Sequence, residues 1–242
     1  MGFIVYVWVL ATAMLVLAQD ATLEQELATV EQYYIPALFV SGHGPKEKAP
    51  AAFQRFQQQW QQFTRKYHQA LQQDPWAGAV RQINNHLQQA ATLLQEGKVF
   101  EAHRQLEPVR NILADVRHQL GTPTLMDALT EFHDHMEVIM KTVRQKSPET
   151  LRATDIEKIK THATAALRAW QKVKIGPREK VLYQLSDDQV AFLQRNIQAQ
   201  QQTLNALKSA LAQKNAADIL KYARGIRSGF ITVFRALGKT IE

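Results

Sequence analysis

The chain carries one amphipathic helix pattern twice. Phe100–Gly121 reads FEAHRQLEPVRNILADVRHQLG, and Ala217–Gly238, displaced by 117 positions, reads ADILKYARGIRSGFITVFRALG. Arg110 falls on Arg227, Val116 on Val233, and Leu120-Gly121 on Leu237-Gly238. Apolar positions coincide as Ala102/Ile219, Leu106/Ala223, Val109/Ile226 and Leu113/Phe230. Each copy has helical spacing and closes on a glycine, a common helix stop. Such a repeat points to two copies of one unit, and 242 residues hold two units of ordinary domain size.

The other segments follow the same order in both halves. Leu23, Leu27, Val30, Tyr34 and Ala37 form a first stripe, with Asp20 as its N-cap and Pro36 expected to kink or end the helix. A loop carrying His43 follows, from Ser41 to Pro50. Phe53, Phe56, Trp60, Phe63, Tyr67 and Leu71 make an aromatic second seam, which needs a large partner surface. Asp74-Pro75 reads as a cap followed by proline at the first helical position. A third helix then runs from Trp76 through Leu94 to Gly97.

Thr122-Pro123 repeats that cap-then-proline device. The seams Leu125–Val143, Ile156–Val173 and Val190–Leu211 lead to the second copy of the opening helix. Leu23 meets Leu125 at an offset of 102, Trp60 meets Trp170 at 110, and Leu87 meets Leu204 at 117. The offset grows at connections and holds within helices, as a duplication with lengthened loops requires. Ser186 and Gln189 have capping-box spacing before the seventh seam. The expected fold is all-α: two tandem antiparallel four-helix bundles related by internal duplication, 19–121 and 122–242, after an N-terminal signal peptide, 1–18.

That leader, MGFIVYVWVLATAMLVLA, is continuously apolar but short for a membrane span of about 20 residues. Small residues at Val16 and Ala18 favour cleavage before Gln19, although no Lys or Arg precedes the apolar run. The segment reads as an export signal or, uncleaved, as an anchor. There is no cysteine, which excludes disulfides, thiolate metal sites, covalent c-type haem and cysteine nucleophiles. A net charge of +7 permits acidic partners, yet the basic residues spread along helix faces as a solvated surface would. Lys221, Arg224, Arg227, Arg235 and Lys239 suit a helix C-terminus, and export argues against a nucleic-acid partner.

One row of side chains could carry chemistry. Met126, His133 and Met140 are seven apart, and Met136 lies a turn from His133. Imidazole with thioether suits copper, above all Cu(I), and a Met/His pair across a bundle suits non-covalent haem. His162 on the next helix is the candidate second-helix ligand, whereas His135 points away from His133. The candidate metal site is therefore His133, Met136, Met140 and His162. Methionine at a seam is also ordinary core filler, and the matching first-half positions Glu24, Glu31, Tyr34 and Leu38 carry no such set. His86 and His103 border seams that could face one another. Asp115 and His118 fall on a polar face. No nucleophile elbow, phosphate loop or HExxH motif is present.

The bundle pattern resembles the architecture of the cytochrome c′ and cytochrome b562 group, without its haem-attachment motif. Leu185–Gln189, LSDDQ, resembles the LTxxQ motif of small helical periplasmic chaperones related to Spy. These features predict an exported, non-enzymatic binding or scaffold protein of the bacterial envelope, located in the periplasm. Its partner would be an envelope protein or a small ligand, with no integral membrane domain once the signal is cleaved. The alternatives are a periplasmic carrier of copper, iron or non-covalent haem, and a chaperone-like protein.

Overall fold

A computed structural model describes the backbone of residues 2–240 and the side chains of residues 23–240. Among the described residues the fold is all-α, without strands: α1 (Gly2–His43), α2 (Ala49–Lys66), α3 (Trp76–Gln95), α4 (Val99–Leu120), α5 (Leu125–Val143), α6 (Ala153–Lys172), α7 (Pro177–Leu182), α8 (Asp187–Gln213) and α9 (Ala216–Ala236). The leader side chains lie outside the described residues, but the helical backbone of α1 runs on through Asp20, so the first helix does not start at an Asp20 cap. Among the described residues, no helix is long and apolar enough to cross a membrane.

The stripes read from the sequence become the buried faces. Phe53, Phe56, Trp60 and Phe63 of α2 are all buried, as are Ile159, Ala163, Ala166 and Trp170 of α6. α1 packs on α2 and α4, and α3 closes against both; α5 packs on α6 and α9, and α8 closes against both. The two groups meet through α4 on α5 and α1 on α9, with α7 against α1. Apolar residues from both groups belong to one contiguous core. The two central tryptophans behave alike. Trp60 Nε1 donates to Asn84 Oδ1 on α3 at 2.7 Å, and Trp170 Nε1 donates to the Ile197 carbonyl on α8 at 3.1 Å.

Pro36 does not end α1, which continues to His43, so His43 stands at a helix end and not in a loop. Proline at 36 removes the N–H that would bond the Gln32 carbonyl one turn earlier. That carbonyl instead accepts the backbone N–H of Lys239 at 2.8 Å. The carbonyl freed by the proline is thereby satisfied from the segment after α9. Gly238 makes this possible, since a Cβ there would lie 2.7 Å from Ile35 Cγ2. Gly238 and its sequence counterpart Gly121 therefore serve different needs: Gly121 adopts φ +71 and terminates α4 in a left-handed cap, whereas the α9 cap, Leu237, is right-handed. Gly238→Val should cost about 1–3 kcal/mol by overpacking. Urea unfolding checks this; a change within about 0.5 kcal/mol, typical of an unconstrained surface position, would show that the contact is slack.

Two helix starts differ from the sequence expectation. Pro75 precedes α3 and Asp74 makes no cap bond to it. In the second half Thr124, not Thr122, is the N-cap: its hydroxyl accepts from Met126 N, while Asp127 Oδ2 accepts from Thr124 N at 2.6 Å. The Ser186–Gln189 capping box forms as expected, with reciprocal bonds of 2.9 and 3.2 Å. Helix α7, between Gly176 and the second long pair, has no counterpart among the expected helices.

Candidate functional site

The polar chemistry of the molecule concentrates where α1, α4, α5 and α9 meet. The deepest element is an ion triad. Arg117, near the end of α4, donates through Nε to both Asp127 carboxylate oxygens at 2.9 Å, and through Nη1 to Glu31 Oε1 at 2.7 Å. All three side chains are 3% exposed. Asp127 belongs to α5 and also caps it, so a single carboxylate starts the second helix group and ties it to the first. Burial pushes the Glu31 carboxyl up, Arg117 pulls it down and Asp127 pushes it up again, leaving it at about 7. Next to the triad, Gln32 Nε2 donates to the Tyr183 carbonyl at 2.8 Å. Gln32 thus receives Lys239 on its backbone and holds the segment after α7 with its side chain.

About two turns further along α1 lies a small cleft of about 40 Å³, enough for a water molecule. His43, His103, Glu107, Arg110, His133 and Arg227 are among its lining residues. Arg110 and Arg227, the one charged identity in the repeated stretch, thus reach the same cleft from opposite groups. The His103 ring faces acceptors with both nitrogens: Nδ1 is 3.0 Å from the Leu38 carbonyl and Nε2 is 3.1 Å from Glu107. Gly42 lets that ring lie against α1, because a Cβ would fall 2.6 Å from it. Burial raises the Glu107 carboxyl, but the His103 hydrogen bond and the charges of Arg110 and His133 outweigh it and hold it at about 2. Arg227 donates to His43 Nε2. Burial, then the charges of Arg227 and His103, lower the His43 pKa. Two buried nitrogens of the cleft, Arg110 Nε and His133 Nδ1, have no hydrogen-bond partner among the described residues.

The proposed metal ligands separate. His133 lies at the cleft, its ring 5.3 Å from Phe230 and its Nε2 3.8 Å from Glu137. Met136 lines the same cleft but is core, 1% exposed. Met140 is half-buried and packs against the core. His162 does not turn to this row: its Nδ1 lies 3.2 Å from Nδ1 of His135, the histidine expected to point away. The physical reason is the helix face. His135 sits on the α6 side of α5, while His133 sits on the side that meets α1, α4 and α9. Burial, then His135 and Lys158, hold His162 below the ordinary imidazole range. Among the described residues, no group of three or more His, Cys, Asp or Glu is arranged to hold a metal ion. His86 does not face His103 either; its Nδ1 lies 3.1 Å from Gln105 Oε1.

Sequence reasoning missed Glu31, Arg117 and Asp127. Each stands beside a seam residue and reads as a solvated charge until the packing of one group on the other is known. No protein-family model, curated protein or solved structure matches the chain.

Proposed function

We propose that the chain is an exported, non-enzymatic binding or scaffold protein of the bacterial envelope. It is read as two tandem antiparallel four-helix bundles related by internal duplication, with its ligand surface where they meet. The observation that carries this reading is the pairing at the junction. If α1 corresponds to α5 and α4 to α9, the contacts α1–α9 and α4–α5 exchange with one another. A pseudo-two-fold interface between duplicated units has that property. The charged side chains there are spent on one another: Arg117 on two carboxylates, Glu107 on His103 and Arg110. None is left as a base beside a nucleophile, which favours holding a ligand over transforming one. Fractionation with N-terminal sequencing and native mass spectrometry tests the reading. A periplasmic chain beginning at Gln19 and carrying a retained small molecule or partner is the expected result. A cytosolic chain with residues 1–18 intact and no retained mass would overturn it.

A copper, iron or non-covalent haem carrier is the second reading, favoured by His133 Nδ1, which has no hydrogen-bond partner among the described residues and shares the cleft with Met136. Elemental analysis and an absorption spectrum of the same preparation decide it. Stoichiometric metal or a Soret band, lost in His133→Ala, would support the carrier.

A further inference from the structure

Along the same junction, on its outer side, runs an open groove of about 550 Å³, within the usual range of small-molecule sites of about 300–1,000 Å³. Its floor is apolar and comes from both helix groups: Ile35, Pro36 and Phe39 of α1, and Ile231 of α9. At one end stands Phe192 of α8, 41% exposed, one of the few large apolar side chains left open to solvent. Among the described residues its charged lining is Lys48, Arg235 and Lys239, with no carboxylate. None of the three has an ion-pair partner among the described residues. Arg235 lies 4.2 Å over the Phe39 ring, which holds its guanidinium at the edge of the apolar floor. Among the described residues, the nearby acids Glu47 and Asp188 line no part of it; Asp188 belongs to a neighbouring hollow beyond Phe192.

An apolar trough whose described rim is cationic selects for one kind of molecule. We propose that this groove binds a single-chain anionic amphiphile, a fatty-acid-like carboxylate. Its head lies among Lys48, Arg235 and Lys239, and its chain lies over Pro36, Phe39 and Ile231 towards Phe192. The proposal rests on the reading of the chain as a binding protein and names the class of its ligand.

The test is calorimetric titration of the full chain with laurate below its micellar concentration. Saturable binding is expected, about tenfold weaker for decanoate, because two fewer methylenes are buried. Dodecyl maltoside, with the same chain and no charge, should bind at least tenfold more weakly than laurate. Lys48→Glu with Arg235→Glu, both at exposed positions, should weaken laurate more than tenfold with helicity unchanged, while Lys208→Glu on exposed α8 surface should not. Phe192→Asp serves as the second variant and should weaken binding without touching the cations. Equal laurate affinity in the charge-reversed protein, absence of laurate binding, or binding only to anionic vesicles would overturn the proposal. A retained ligand that ignores these variants would sink the amphiphile while leaving the binding reading intact. Absence of any retained mass would remove both.

Discussion

Arg117→Leu should destabilise the protein by about 3–5 kcal/mol, the usual cost of removing one partner from a buried charge cluster. Among the described residues the arginine is the sole counter-charge for two carboxylates that are themselves out of water. Without it Glu31 and Asp127 must either stay charged and unpaired or take up protons, so the loss should be larger at pH 8 than at pH 5. Asp127 cannot simply be removed with it, because it also caps α5. The combination Glu31→Leu, Arg117→Leu and Asp127→Asn keeps the cap and discards the charges. It should recover most of the loss, since a well-packed apolar replacement of a buried ion cluster is commonly neutral or better. Urea unfolding of the three proteins at both pH values checks this. A single-variant cost below about 1 kcal/mol, the range of exposed ion pairs, would mean the triad is solvated.

Glu31→Gln should have the opposite sign at neutral and alkaline pH. Asp127 already receives the Arg117 fork, so Glu31 is the surplus carboxylate, and burial holds its pKa at about 7 against an ordinary 4.5. A group whose folded pKa is raised gives stability that is complete below the unfolded pKa and lost as pH rises through the folded one. For Glu31 that loss spans the interval from 4.5 to about 7. Glutamine keeps an oxygen for Arg117 Nη1 and does not titrate. Near pH 4 the two proteins should therefore match. Near pH 8 the variant should be more stable by on the order of 2–3 kcal/mol. Parallel pH–stability curves for the two proteins would rule out this assignment of the titrating group.

Much of the helical layout was legible in the chain. The seam through Phe53, Trp60 and Phe63 and the seam through Ile159, Ala166 and Trp170 announced two helices buried on one face each, and both tryptophans landed in the core. Capping chemistry was legible where it is wholly local, as at Ser186 and Gln189. It failed where a distant residue intervened. Pro36 is a helix breaker by local rules, yet α1 runs through it and the carbonyl it frees accepts the Lys239 amide, 203 positions beyond Pro36 in sequence. The Met/His row was only partly brought together, for a related reason. Spacing along α5 fixes which residues share a face, but not which face meets which neighbour. His162 accordingly came to His135, and His133 to residues of the other group. Glu31, Arg117 and Asp127 were invisible as a set because their partnership exists only across three helices. Arg110 and Arg227 were the exception: the identity that marks the repeat also marks the cleft.

Hydrogen exchange, comparing the protein as first purified with the same protein unfolded in urea and refolded, tests most directly whether the junction is the binding surface. Slower exchange in the isolated form over residues 35–40 and 231–240, with α3 and α6 unchanged, is the expected result. Protection confined to α2, α3 or α6, or no difference anywhere, would contradict a ligand held between the two helix groups.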